Sequence, residues 1–256
     1  MARKKKRRSF ANTFLKIFFW LAIAMIGVYY VVNFFIAPPD VFYPGFQIDI
    51  PRGYAIHGID VSRYQSNINW KSVKSMQVKD IKIGFAFIKA TEGINKVDPQ
   101  FRRNWLEAEE MDIPKGAYHF FIASRSGRKQ AANFIEMVDL KKGDLPPVLD
   151  IEKTYGVSIN VIKKELADWL KLVEEHYGVI PIIYTNIDFY KNYLEQDFAD
   201  YPVWIAHYLQ PNKPRLEHKW VFWQHSEEGR VNGITSPVDF NVFSGDSLDF
   251  QNFLIR

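Results

Sequence analysis

The chain has 256 residues, a net charge of +4 from 33 basic and 29 acidic side chains, 16 % aromatic residues and no cysteine. That length suits one large domain or two small ones, and the missing cysteine excludes disulfides, thiolate nucleophiles and Cys-ligated zinc. The positive charge is local: Arg3, Lys4, Lys5, Lys6, Arg7, Arg8 and Lys16 meet no acid within residues 1–39. The remainder holds 26 basic against 29 acidic residues, which gives no electrostatic case for nucleic-acid binding.

Residues 1–16 read as a basic cytoplasmic arm. From Ile17 to Ala37 the chain is apolar except for Asn33, long enough as a helix to match a hydrocarbon core of about 30 Å. Basic residues flank only its N-terminal side, so the positive-inside rule predicts a single-pass transmembrane anchor over 17–37 with a cytoplasmic N-terminus. The rest of the chain would then lie in the periplasm or outside a bacterial cell, tethered to the inner membrane. A cleaved signal peptide is the competing reading, disfavoured by the length of the run and by Pro38-Pro39 directly after it. Residues 38–54, with four prolines and no helical period, read as a linker.

From 55 to 256 short apolar strands alternate with amphipathic helices. Strands are predicted at 55–61, 83–90, 116–121, at the Pro146–Glu152 run, and at 180–184. Helices are predicted at 68–77, 99–111, 128–138, 160–176 and 188–194. The helix over 160–176 carries Ile162, Leu166, Trp169, Leu170 and Val173 on one stripe and ends at Gly178. Beyond it the period changes, with short strands at 203–207, 220–224 and 229–232 separated by loops, then a terminal helix near 247–254. Five β-α units followed by about three further strands predict an α/β fold, an irregular (β/α)-type barrel preceded by one transmembrane helix.

The chemistry concentrates in Pro146-Pro147-Val148-Leu149-Asp150-Ile151-Glu152. Strand alternation points Asp150 and Glu152 the same way, and Lys153-Thr154-Tyr155-Gly156 then breaks the strand. In a (β/α) barrel the C-terminal end of a strand is where chemistry is done. Two carboxylates on one face raise each other's pKa, so one can stay protonated as a general acid. A strand ending in solvated charge is the plainer alternative for one D-x-E alone.

Several stretches match one family in order. They are His57-Gly58-Ile59-Asp60-Val61-Ser62 with Gln65 and Trp70, Phe87-Ile88-Lys89-Ala90-Thr91-Glu92-Gly93, Gly116-Ala117-Tyr118-His119-Phe120 and Asp150-Ile151-Glu152. Tyr184-Thr185-Asn186, Trp204-Ile205-Ala206-His207-Tyr208, Trp223-Gln224 and Val238-Asp239-Phe240-Asn241 complete the set. Over residues 55–245 the chain resembles the family 25 glycoside hydrolases, the muramidase-type lysozymes. The resemblance implies hydrolysis of the β-1,4 bond between N-acetylmuramic acid and N-acetylglucosamine in peptidoglycan strands, without a cofactor or metal. It also implies an acidic cluster of Asp60, Asp150, Glu152 and Asp239, with Glu152 as general acid and Asp150 assisting the 2-acetamido group. Asp60 and Asp239 would hold substrate or water and keep Glu152 protonated. Tyr118 and Tyr184 would line the reacting-sugar subsite, and Trp204 and Gln224 the cleft floor.

Carboxyl separation decides between a retaining and an inverting route, and a D-x-E pair is open to both, with substrate assistance preferred. Taken singly, His57 and His119 read as core histidines, and Lys89 with Glu92 as an ion pair beside a turn. No H-E-x-x-H or G-x-S-x-G occurs, so neither a metal hydrolase nor a serine nucleophile has support. The rival functions are a catalytically silent peptidoglycan-binding module and a glycosidase acting on another N-acetylated glycan such as chitin. No protein partner is predicted.

Overall fold

The computed structural model describes residues 7–36 and 40–256. It divides into two compact units, 1–39 and 40–256. In the first, α1 (Arg7–Ile36) is a helix. Among the described residues no helix is long and apolar enough to cross a membrane. Side chains along α1 are described over 13–29 only, a length of roughly 25 Å against the ~30 Å a bilayer core requires. The rest of the span expected over 17–37 lies outside the described side chains. The predicted transmembrane anchor is thus corrected, and the membrane as a partner and the single-pass inner-membrane placement fall with it.

The second unit opens with a two-stranded antiparallel ribbon, β1 (Val41–Tyr43) and β2 (Ile48–Ile50), where the sequence suggests only a linker. Ile48 and Ile50 are buried, and Phe46 in the turn packs on Phe240 with ring centroids 5.0 Å apart. Three-residue strands leave too little alternation to be read from sequence, and tertiary contact holds them.

The following chain order is β3 (His57–Val61), α2 (Trp70–Ser75), β4 (Gln77–Val78), β5 (Ile81–Glu92), β6 (Lys96–Val97), α3 (Phe101–Glu110), β7 (Lys115–Phe120) and α4 (Gly127–Met137). Then come β8 (Val148–Asp150), α5 (Ile159–Tyr177), β9 (Ile182–Asn186), α6 (Ile187–Phe189), β10 (Val203–Ala206), β11 (Phe222–Gly229), β12 (Val238–Phe243) and α7 (Ser247–Phe253). Strands β3, β5 and β7–β12 close into a barrel. Pairing is parallel from β3 through β5, β7, β8, β9 and β10 to β11. It becomes antiparallel where β12 joins β11 to β3. The α/β barrel therefore stands, without the transmembrane helix placed before it. Of residues 229–232, expected as a separate strand, Gly229 ends β11 and the other three are irregular chain leading into a turn. The last wall of the barrel is β12, whose central Asp and Asn interrupt its apolar run.

Alternation divides the apolar residues into two layers. One fills the barrel with Phe85, Phe87, Val148, Ile182, Trp204, Phe222 and Phe243, closed below by Phe250 of α7. The other lies between strands and helices and includes the α5 stripe Ile162, Leu166, Trp169, Leu170 and Val173, all fully buried. Each such side chain contributes roughly 1.5–3 kcal/mol. Gly178 ends α5 in the left-handed conformation, φ 68°, its N–H donating to Glu174 O at 2.8 Å, as a helix C-cap requires. Inside the barrel Gly58 faces the Phe85 ring, which a Cβ would meet at 2.5 Å.

Candidate active site

The parallel strands all deliver their C-terminal ends to one mouth, and a cleft of about 290 Å³ opens there. Asp60 comes from β3, Tyr118 from β7, Asp150 from the end of β8 and Glu152 two residues beyond it. Tyr184 comes from β9, Trp204 from β10, Gln224 from β11 and Asp239 from β12. All eight line this cleft. The juxtaposition follows from register: Asp239 sits opposite Asp60, Asp150 opposite Tyr184, and Gln224 opposite both Ala206 and Asn241.

Two acid pairs organise the cleft. Asp60 is buried and accepts from Gln224 Nε2 at 2.8 Å and Asn241 Nδ2 at 2.7 Å. It also hydrogen-bonds to Asp239. Burial and the Asp60 charge push Asp239 up to about 10, so Asp239 keeps its proton and donates it to Asp60. Burial raises Asp60 as well, while its three donors oppose that rise. The second pair is Asp150 and Glu152, which are hydrogen-bonded to each other. Burial and then Glu152 drive Asp150 well above the usual carboxylate range, and burial raises Glu152. Asp150 Oδ1 is buried with no protein partner.

Aromatic side chains hold these groups in place. Trp204 stacks on Phe87 with centroids 4.3 Å apart, meets Tyr184 edge-on at 4.4 Å, and donates from Nε1 to Asn241 Oδ1 at 2.7 Å. Tyr184 donates to Gln224 Oε1 at 2.8 Å, and Tyr208 donates to the same oxygen. Burial first, then the nearby carboxylates, keep the Tyr118 hydroxyl protonated far into the alkaline range.

Lys89 also lines the cleft. It pairs with Glu92 at 2.9 Å, lies 4.5 Å from the Phe120 ring centroid, and lowers both carboxyls of the Asp150–Glu152 pair. Burial alone would raise Glu92, but Lys89 and Lys96 outweigh it and bring Glu92 down to about 2. Tyr208 and Lys89 line the cleft and the buried Asn241 braces Asp60; all three stand within the matched motifs, yet the sequence reading gave them no role there. Alternation on β12 was the available signal, since Asn241 shares the face of Asp239.

His57 and His119 are structural. His57 Nε2 bonds Tyr54 O at 3.0 Å. His119 lies between Thr91 Oγ1 at 2.7 Å and Gln130 Oε1 at 3.2 Å, stacked on Trp169. Burial holds them neutral, down to about 4 and about 3. Among the described residues no group of three His, Asp or Glu side chains is arranged to hold a metal ion. The cleft therefore offers proton transfer from paired acids beside aromatic walls.

The sequence pattern of the glycosyl hydrolases family 25 matches residues 59–234. The chain belongs to family 25 of the glycosyl hydrolases. It is a glycoside hydrolase. Among proteins similar to this family 25 member, YegX of Escherichia coli K12 is 47 % identical over 209 residues, covering 82 % of this chain and 77 % of that one. Lysozyme M1 of Streptomyces globisporus is 35 % identical over 207 residues, covering 75 % of this chain and 69 % of that one. The solved family 25 glycosyl hydrolase of Bacillus anthracis superposes with a TM-score of 0.73 at 34 % identity, covering 79 % of this chain and 94 % of that one.

Proposed function

We propose that this family 25 enzyme is a muramidase that hydrolyses the β-1,4 bond between N-acetylmuramic acid and N-acetylglucosamine. Glu152 is the general acid, and Asp150 assists attack by the substrate's own 2-acetamido group. The observation that carries this reading is the hydrogen-bonded Asp150–Glu152 pair, raised by burial, at the mouth of the barrel. The lysozyme name of the Streptomyces globisporus relative agrees with it.

The pair holds one proton. In the free cleft burial and mutual repulsion leave it on Asp150, one hydrogen bond from Glu152. Moving it along that bond arms Glu152 and makes Asp150 anionic. Asp150 can then orient the acetamido N–H while the acetamido oxygen attacks the anomeric carbon. Glu152 protonates the bridging oxygen as the C1–O bond breaks, and the resulting oxazolinium ion is opened by water that Glu152 deprotonates. Such substrate assistance is a recognised exception to the two-carboxylate scheme. Asp60 and Asp239 sustain the acidity of the cleft, while Tyr118, Tyr184, Trp204 and Gln224 form the walls for the reacting sugar.

On purified peptidoglycan, mass spectrometry should find muramic acid at the new reducing ends, and proton NMR a first-formed anomer of retained configuration. Glu152→Gln should lower turnover by about 10²–10⁴-fold, the usual worth of general acid–base catalysis, while still binding glycan. Reducing-end N-acetylglucosamine, or chitin cleaved in preference to the wall, would overturn the substrate assignment. Net inversion would overturn substrate assistance, and a fully active Glu152→Gln would remove Glu152 from the reaction.

A further inference from the structure

Glu152 borders two cavities. One is the 290 Å³ cleft, and the other is an open pocket of about 470 Å³ that includes Tyr155, Asn186 and Tyr193. Among the described residues Glu152 alone lines both. A general acid touches the oxygen that joins two sugars, so the sugars must lie on its opposite sides. The first cavity holds Asp150, Asp60, Tyr118 and Tyr184, the groups suited to the reacting sugar. We propose that the second cavity binds the sugar on the leaving side of the scissile bond, with the Tyr155 ring as its stacking platform. This deepens, and rests on, the muramidase reading, which makes the occupant N-acetylglucosamine.

The backbone supports that assignment. Asp150 is paired with Tyr184, and Ile151 N–H donates to Tyr184 O at 3.0 Å, which carries Glu152 and Asn186 forward side by side. Asn186 Oδ1 accepts from Phe189 N at 2.9 Å, which fixes the amide and leaves Nδ2 to donate to a sugar hydroxyl or acetamido oxygen. Tyr193 is braced on Phe189, ring centroids 4.9 Å apart, and forms a firm wall. Tyr155 itself sits at φ 51° and is followed by Gly156 at φ 72°. Bulky side chains avoid that left-handed region, and such strain gathers at ligand-contacting positions. Glycine or asparagine would make the same turn more easily, yet the chain places there a ring that is 45 % exposed. Binding pockets are lined in just this manner, with aromatic surface and a few placed polar groups.

The test uses the full chain and the tetrasaccharide N-acetylglucosamine–N-acetylmuramic acid repeated twice. Tyr155→Asn keeps a residue that tolerates the left-handed turn and removes the ring. Its KM should rise about tenfold with kcat unchanged, as for an interaction made equally in ground and transition states. Tyr155→Phe should return KM to the wild-type range. In the Glu152→Gln background, saturation-transfer NMR should show that adding Tyr155→Asn abolishes the signal from the third sugar's protons and spares the first two sugars. An unchanged KM, or a signal that disappears from the non-reducing half instead, overturns the inference while the muramidase reading stands. Failure of the wild type to cut the central bond overturns both.

Discussion

Replacing Asp239 by asparagine should make the protein more stable, and the gain should grow with pH. In the folded chain burial and Asp60 raise Asp239 from an ordinary value of 3.8 to about 10. Below the ordinary value the carboxyl is protonated in both states and costs nothing. As pH rises above it, the unfolded carboxyl ionises while the folded one holds its proton, so stability falls steadily until the folded group titrates near 10. At pH 7 roughly three pH units separate solution from the unfolded value, which at 1.36 kcal/mol each is about 4 kcal/mol. Asparagine does not titrate, and its Nδ2 can replace the O–H that Asp239 offers Asp60. Its second N–H needs a partner in a largely buried site, a cost of about 1–2 kcal/mol. The net gain is therefore about 2–3 kcal/mol at pH 7, near zero at pH 5 and larger at pH 9. Urea unfolding of the full chain at those three pH values measures it. A variant less stable than wild type at pH 7, or a difference that stays flat from pH 5 to 9, would refute the reasoning.

Asn241→Leu removes the 2.7 Å donor to Asp60 and the 2.7 Å acceptor for Trp204 Nε1; it should cost about 3 kcal/mol in urea unfolding, and a loss below 1 kcal/mol would show that these bonds are not needed. Gly58→Ala forces a Cβ to 2.5 Å from the Phe85 ring and should destabilise by about 1–3 kcal/mol, with Phe85→Leu recovering part of the loss in the double variant. Lys89→Met should move the alkaline limb of kcat/KM to higher pH, because the ammonium lowers Asp150 and Glu152 together. A limb that stayed where it is in the wild type would place Lys89 outside their electrostatic reach.

How much of this was legible depended on how far each feature is local. The α5 stripe and its Gly178 cap follow from a 3.6-residue period and one conformational preference, and both were readable. Asp150 and Glu152 share a face by strand alternation alone. That Asp60 and Asp239 meet them is a fact of barrel register, which no spacing within one strand encodes; only the ordered motifs supplied it. The ribbon at 41–50 was missed because its strands are three residues long and depend on Phe46 reaching Phe240. Strand β11 runs on from Gln224 through polar residues to Gly229, with register irregularities after Gln224 and after Ser226, so its outer half carries no apolar alternation. Hydropathy misled at the N-terminus, where apolar content was read as a membrane span that the described part of α1 does not supply.

Barrel closure has a consequence for how the enzyme is made. Asp60 lies on the first barrel strand and Asn241, which braces it, on the last, 181 positions away. A ribosome must release almost the entire polypeptide before these neighbours can find each other, and such distant pairings are slow to form. The cleft is thus unassembled throughout synthesis, and a truncated product ending before β12 would lack both Asp239 and Asn241 and be inactive.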